Sequence, residues 1–291
     1  MRDLVLERPV VDLDFAIEGE IAPFAGALAE RLDARITVHE RFGTAVLALP
    51  GGSRLDVAAT RAETYARPGA LPSVSPAPIE VDLARRDFTV NAMALELAPA
   101  SGGALLDPFG GLRDLEARVL RLLHPRSPFD DPTRAFRAAR YANRLGFSVE
   151  RGTRAWIRLA VSDRAFDAVS GDRLRREIEL IFAEENRAGG VARMQSLGLP
   201  ATLHPALGSG ARILSRLRRA EEIASKARDE GSPRAGWLQY LLVWAAELSP
   251  EELEALARRL NLSRRDSKTL RGISPKEHLA FAVAAARGEA P

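Results

Sequence analysis

Val10-Val11-Asp12-Leu13-Asp14-Phe15-Ala16-Ile17 is the first strand-like run of the chain. Its two aspartates stand two positions apart, a spacing that turns both side chains to one face of an extended strand. Two converging carboxylates repel each other unless a cation or a proton lies between them. Hard oxygen donors in that arrangement suit Mg²⁺, which keeps water and recruits phosphate oxygens. Taken alone, Asp12 and Asp14 fit a polar face on an exposed strand better than a metal site.

A third acid extends the pattern. Ser53-Arg54-Leu55-Asp56-Val57-Ala58 is another short strand-like run with one aspartate among apolar neighbours. Two carboxylates on one strand and one on a nearby strand can hold two metal ions, one activating a hydroxyl and one holding a triphosphate. As an isolated feature Asp56 fits an edge residue.

Outward from these runs, residues 36–38, 45–49, 54–58 and 88–97 also read as strands and 21–32 as a helix. The prediction is an α+β domain over residues 1–113. The proline-rich stretch 65–78 reads as a loop between two strand regions, long enough to suggest a role beyond connection. From about Leu112 the periodicity becomes helical. Residues 132–145 form a helix ended by Gly146, residues 171–182 one with Ser170 as candidate cap, and 212–228, 237–247 and 250–260 further amphipathic helices. No internal repeat is evident.

The 291 residues, 46% of them hydrophobic, suffice for a substantial core and two or three domains. The sequence has no cysteine, which excludes disulfides, thiolate metal sites and cysteine nucleophiles and suits a reducing cytoplasm. The charged start and the lack of eighteen consecutive apolar residues predict a soluble protein without signal peptide or membrane span. Net charge is only +3, from 42 basic and 39 acidic residues. Arginine concentrates in the second half, an arrangement suited to metal at one end and polyanion along the other. His39, His124, His204 and His278 lack the spacing of a zinc site.

Asp131 directly before Pro132 has the form of a helix start, with Asp131 as N-cap. Arg134 follows three residues on. A carboxylate beside guanidinium donors also matches the edges of cytosine and adenine, each of which presents an amino donor and a ring-nitrogen acceptor. Arg134, Arg137, Arg140 and Arg144 share one broad helical face, with Ala135, Ala138, Ala139 and Ala142 largely opposite. The alanines are expected to pack and the arginines to stay available to triphosphate or RNA backbone, or simply to solvent. Arg85, Arg86 and Asp87 form a polar cluster suited to a ribose and phosphates, with a buried ion pair as the competing reading. Arg216, Arg218, Arg219, Arg258, Arg259, Arg264, Arg265, Lys268 and Arg271 are candidates for phosphate contacts.

Over residues 2–205 the sequence resembles the class II tRNA nucleotidyltransferase and bacterial poly(A) polymerase family. Arg2-Asp3-Leu4, Arg8-Pro9 and Asp12-Leu13-Asp14 resemble its first motif, whose aspartates bind magnesium. His39-Glu40-Arg41-Phe42-Gly43-Thr44-Ala45 is similar to the strand that follows, and Leu55-Asp56-Val57-Ala58 with Arg61-Ala62-Glu63-Thr64-Tyr65 to the region of the third carboxylate. Arg85-Arg86-Asp87-Phe88-Thr89-Val90-Asn91-Ala92-Met93 resembles the ribose-selecting second motif. Asp107-Pro108-Phe109-Gly110-Gly111 resembles the third, a flexible element. Asp130-Asp131-Pro132-Thr133-Arg134 resembles the fourth, usually Glu-Asp-x-x-Arg, in which aspartate and arginine read the base. Ser170-Gly171-Asp172-Arg173-Leu174-Arg175-Arg176-Glu177 resembles the fifth, which supports the fourth. Family members open with a strand and a Gly-Gly-x-Val-Arg-Asp turn. Here Met1 stands where the valine would, so an open sheet edge and a weaker phosphate cradle are expected.

The resemblance implies a nucleotidyltransferase head of the polymerase-β type with a small mixed sheet over residues 1–113. A helical neck over 114–185 would recognise the base and a helical body over 186–291 would bind tRNA. It implies Mg²⁺ on Asp12, Asp14 and Asp56, with nucleotide bound by Arg85, Arg86, Asp87, Asn91, Asp131, Arg134, Arg137 and Arg140. The implied reaction adds CMP or AMP, from CTP or ATP, to the 3′ end of tRNA. A poly(A) polymerase on general RNA and a non-catalytic RNA-binding derivative are the alternatives.

Overall fold

The computed structural model describes residues 1–10, 13–40, 43–65, 69, 72–97, 102–229 and 236–271. It divides into two compact units, the first ending at His124 and the second beginning at Pro125, with Gly69 counted in the second.

The first unit opens with a short helix α1 (Arg2–Val5), followed by β1 (Leu13–Ile17), α2 (Ile21–Arg31), β2 (Arg35–His39), β3 (Thr44–Ala48) and β4 (Arg54–Ala59). These strands form one mixed sheet in the order β1-β4-β3-β2, with β1 parallel to β4 and the other pairs antiparallel. Helix α2 closes one face. Its residues Ile21, Ala25 and Ala29, spaced four apart, pack against Ala45, Leu47, Leu55 and Val57 of β3 and β4, with Phe15 and Ile17 of β1 at the margin. Each large aliphatic buried there contributes about 1.5–3 kcal/mol. Strict alternation leaves Asp14 and Asp56 on the other face.

Two ribbons follow: β5 (Arg61–Thr64) with β6 (Ser73–Pro76), and β7 (Ala94–Leu95) with β8 (Leu105–Leu106). Strand β6 lies inside the stretch expected as loop. Pro76 closes it opposite Arg61, at the end of a two-stranded ribbon where a missing N–H is tolerated. Between the ribbons stands α3 (Ile79–Ala84), whose first N–H, from Ile79, donates to Glu18 just beyond β1 (2.7 Å). The strand expected over 88–97 is not continuous. Thr89–Asn91 form a 3₁₀ turn and only Ala94–Leu95 are extended, because the Asp87 carboxylate accepts the Phe88 N–H (2.8 Å) and the Asn91 amide (2.9 Å) and curls the chain.

Helix α4 (Gly111–Glu116) and β9 (Val119–Leu120) complete this unit. Asp107 caps α4 by accepting the N–H groups of Gly111 (2.6 Å) and Leu112 (2.9 Å). Gly110 is left-handed at φ 70°. Gly111 is needed for a different reason: a Cβ there would lie 2.3 Å from the Thr89 carbonyl oxygen and 2.9 Å from Met93 Sδ. The segment expected as a flexible element is thus pinned against the 3₁₀ turn at Thr89. Buried Asp114 reinforces it, accepting from Thr89 Oγ1 (2.7 Å) and Arg121 Nε (2.9 Å). These contacts carry the first unit past residue 113, where its end was expected, to His124.

The second unit comprises α5 (Ser127–Asp130), α6 (Thr133–Leu145), β10 (Ser148–Val149), α7 (Arg151–Ser162), α8 (Gly171–Ala183), α9 (Arg187–Leu197), α10 (Pro200–Leu203), α11 (Ala211–Asp229), α12 (Trp237–Trp244), α13 (Pro250–Arg259) and α14 (Arg264–Arg271). Helix α6 packs on α8 and α9, and α11 on α9 and α12. Helix α9 packs against α6 and α8 across residue 185, where the neck was expected to give way to the body. Phe136 meets Phe166 edge-on at 5.8 Å, and Phe182 lies 6.0 Å from both Tyr240 and Trp244. Ser249 and Glu252 form a capping box on α13. Ser170 sits at the N-cap of α8 but makes no side-chain cap bond, unlike its expected role. Among the described residues no helix is long and apolar enough to cross a membrane.

Candidate active site

In the register of β1 on β4, Asp14 is the partner of Asp56. Neighbouring strands stand about 4.8 Å apart, and in-register side chains share a face, so the two carboxylates are side by side on the face not covered by α2. Asp14 is exposed and makes no hydrogen bond or ion pair with any described residue. Asp56 Oδ1 accepts from Arg54 Nε (2.9 Å) and Nη2 (2.6 Å), and Oδ2 has no partner among the described residues. Asp12, the third expected ligand, lies outside the described residues. Among those described, no group of three or more His, Cys, Asp or Glu is placed to hold a metal ion. The pair that is present fits a hard divalent cation by the chemistry of its donors: adjacent, like-charged oxygen ligands, with the Asp14 carboxylate and Asp56 Oδ2 open among the described residues.

Arg85 and Arg86 belong to one polar cluster of the first unit, and Asp87 and Asn91 to a second. Arg85 donates to Asp82 Oδ1 through Nε (3.1 Å) and Nη2 (2.5 Å), and to Glu63 Oε1 through Nη1 (2.7 Å). Arg86 Nη2 donates to Asp82 Oδ2 (3.1 Å). Burial opposes ionisation of Asp82, but the hydrogen bonds and charge of Arg85, with Arg86 and the Arg61 N–H, outweigh it and hold the carboxyl below the usual range. Asn91 ties Asp87 to α1: its oxygen accepts from Arg2 Nη1 (2.7 Å) while its amide donates to Asp87. Arg2 also chelates Asp3, and that hydrogen bond is the leading cause of the lowered Asp3 carboxyl.

In the second unit Asp131 precedes α6 by two positions, and the N-cap is Pro132. Its capping function survives the shift, since Oδ1 accepts the Thr133 N–H (3.0 Å) and hydroxyl (2.7 Å). Arg173 of α8 donates to the same oxygen (2.6 Å) and to the Gly69 carbonyl (2.9 Å). Asp131 Oδ2 has no partner among the described residues.

The arginines of α6 are not the available stripe expected. Arg134 is 6% exposed and donates to Ser127 Oγ (2.7 Å), and Arg140 is 5% exposed. Arg140 lies 3.8 Å from Glu177 and 4.0 Å from Glu184, with its guanidinium 4.8 Å from the Tyr141 ring centre. Arg137 lies over the same ring at 5.5 Å, and Arg144 is bidentate on Glu184. The periodicity named the face correctly, but Glu177 of α8 and Glu184 just beyond its end engage Arg140 and Arg144, and of the four arginines only Arg144 is exposed. Arg259 also departs from its expected role. Its guanidinium donates to the carbonyls of Phe166 (2.6 Å), Val169 (3.0 Å) and Thr202 (3.3 Å), and burial depresses its pKa. Arg216 and Arg271 pair with Glu247 and Glu254, whereas the exposed side chains of Arg264, Arg265 and Lys268 have no partner among the described residues.

Asp82, Glu63 and Ser127 were absent from the sequence-derived candidates. The spacing of Asp82 three and four residues before Arg85 and Arg86 was the available signal, since a helix brings such positions together. Nothing local in the sequence points to Ser127.

A mixed sheet bearing paired carboxylates, followed by helices, is the architecture of a nucleotidyltransferase head and its helical extension. Residues 1–121 match the profile of the Poly A polymerase head domain. An A-adding tRNA nucleotidyltransferase of Geobacter sulfurreducens is 38% identical over 265 residues, 90% of this chain and 30% of that protein. Another, of Halalkalibacterium halodurans, is 36% identical over 267 residues, 89% of this chain and 61% of that protein. The solved apo form II of a CCA-adding enzyme superposes with a TM-score of 0.86 at 31% identity, covering 99% of this chain and 68% of that one. The chain belongs to the class II tRNA nucleotidyltransferase family. It spans 30% and 61% of the length of the two curated relatives. Divalent-metal dependence goes with this family.

Proposed function

We propose that the protein transfers AMP, CMP or both from ATP or CTP to the 3′ end of tRNA without a template, using Mg²⁺. The observation that carries this reading is the in-register pair Asp14 and Asp56 on the open face of the sheet. A scaffold has no use for two adjacent, mutually repelling carboxylates. Asp12, Asp14 and Asp56 would hold the metal, which when bound neutralises phosphate charge and makes the attacking 3′-hydroxyl more acidic.

The remaining chemistry is positioning, because nucleotidyl transfer asks for little covalent help from protein. Arg86, Asp87 and Asn91 bind ribose and phosphates with Arg85 held beside them, and the Asp87–Asn91 hydrogen bond fixes the turn that follows. Asp131 accepts the amino group of the base on its open oxygen while Arg134 faces the ring acceptor, with Arg137 and Arg140 behind them on α6. The helices α5 to α8 act as the base-reading neck and those from α9 onward as the tRNA-holding body, with exposed Arg264, Arg265 and Lys268 for phosphates. A cytoplasmic location follows from the tRNA substrate and agrees with a cysteine-free sequence.

The A-adding names of the Geobacter and Halalkalibacterium relatives favour AMP as the nucleotide transferred. The test is incubation of the purified protein and Mg²⁺ with tRNA ending in CC, or lacking CCA, and labelled ATP or CTP. One AMP added to the CC-ended tRNA is the expected product. Long ATP-only tracts on unrelated RNA would indicate poly(A) synthesis, and absence of any incorporation defeats the reading.

A further inference from the structure

We infer that Asp82 is a positioning residue that gives two adjacent arginines different tasks: Arg85 is locked as a support, and Arg86 is presented to the phosphates of the nucleotide. The inference deepens the reading above and rests on it.

Asp82 lies on α3 with its carboxylate buried, and its two oxygens face different partners. Oδ1 accepts Nε and Nη2 of Arg85 and the backbone N–H of Arg61 (3.2 Å), whereas Oδ2 accepts Arg86 Nη2 (3.1 Å). Glu63 takes Arg85 Nη1 (2.7 Å), and the Arg61 carbonyl shares its Nε (3.1 Å). Every nitrogen of Arg85 therefore has an acceptor inside the first unit. Its guanidinium is thereby anchored on both edges, and turning it toward a phosphate would pull it away from two carboxylates that are themselves buried.

Arg86 is in the opposite condition. Among the described residues Asp82 is its one acceptor, its Nε is buried with no partner, and a third of its side chain, 34%, is exposed. A guanidinium has five N–H donors in a rigid fork that matches phosphate oxygens in pairs. Arg86 can take up a phosphate without releasing Asp82. The cluster also sets three guanidinium groups, of Arg61, Arg85 and Arg86, against two carboxylates, of Glu63 and Asp82. Its uncompensated charge is positive and suits an anion.

The experiment measures KM for ATP, kcat and melting temperature for the wild type, Asp82→Asn, Asp82→Glu, Arg86→Ala and the Asp82→Asn/Arg86→Ala double variant, with equilibrium ATP binding on the same set. Asp82→Asn and Arg86→Ala should each raise KM by about tenfold, the scale of a hydrogen bond to a charged group, with kcat changed far less. The double variant should show no further rise, because both changes remove one interaction, and Asp82→Glu should recover part of the loss. A lowered melting temperature with unchanged KM in Asp82→Asn, an unchanged KM in Arg86→Ala, or additive effects in the double variant overturns the assignment. Wild-type protein that binds ATP through Arg86 yet incorporates none sinks the transfer reading alone. Wild-type protein that binds no ATP sinks both.

Discussion

Asp14 and Asp56 are partner residues on parallel strands, so two negative charges face each other across one strand spacing. Like charges in direct cross-strand opposition cost stability, on the order of 0.5 kcal/mol. Asp14→Asn should therefore leave the metal-free protein as stable as the wild type or slightly more so, while abolishing nucleotide incorporation. Thermal melts in chelator alongside the labelled-nucleotide assay check both halves. A variant that keeps its activity removes Asp14 from the site.

Gly111 has no room for a methyl group, since its Cβ would press on the Thr89 carbonyl and Met93. Overpacking of this kind costs about 1–3 kcal/mol, and here the obstructing atom is backbone. Gly111→Ala should lower the unfolding free energy of the first unit by that amount, read as a lower denaturant midpoint at unchanged slope. It should also disturb Asn91 and Asp87, which share the 3₁₀ turn. Gly51→Ala, in the turn between β3 and β4 with open space around it, is the comparison for steric effects, although its φ of 90° adds strain of its own.

Asp82 and Asp3 both ionise more readily in the folded chain than ordinary aspartates do. A carboxylate with a depressed folded pKa stabilises the fold above its unfolded value, about 3.9, and loses that contribution as pH falls through the folded pKa. Stability should therefore decline as pH drops below about 4. Asp82→Asn should be less stable than wild type at neutral pH, with the difference narrowing on acidification. Urea titrations from pH 7 to pH 3 measure it. A constant difference across that range contradicts the assignment.

Arg259 joins three carbonyls from two other segments of the second unit. Arg259→Lys keeps the charge but not the fork, so acceptors are left unsatisfied at about 1–3 kcal/mol each. The variant should unfold at markedly lower denaturant, whereas Arg264→Lys, at an exposed position, should be neutral within about 0.5 kcal/mol.

The sheet was legible because its rule is local. Alternation in 13–17 and 54–59 fixes which residues meet α2, and it puts Asp14 and Asp56 on the remaining face without knowledge of the neighbours. Helix α6 was legible for the same reason as far as its alanines. Its arginines were not, because their surroundings come from Glu177 and Glu184, more than thirty residues away, and from the stacking of Tyr141. The 3₁₀ turn at Thr89 was read as strand because residues 88–97 are apolar. The bond that bends them comes from Asp87, whose side chain competes with the ladder. Strand β6 was hidden by Pro76 and by the prolines on either side of it, and a two-stranded ribbon accommodates Pro76 at its end.

The side chain of Asp131 has lost a symmetry that a free carboxylate possesses. In water its oxygens exchange by rotation about the last torsion, a broad two-fold well. Here the Thr133 amide, the Thr133 hydroxyl and the Arg173 guanidinium all converge on Oδ1, so a half-turn would have to surrender all three together. The lone pairs of Oδ2 are consequently oriented before any partner arrives, and an amino group meeting them encounters an acceptor whose direction was set by folding.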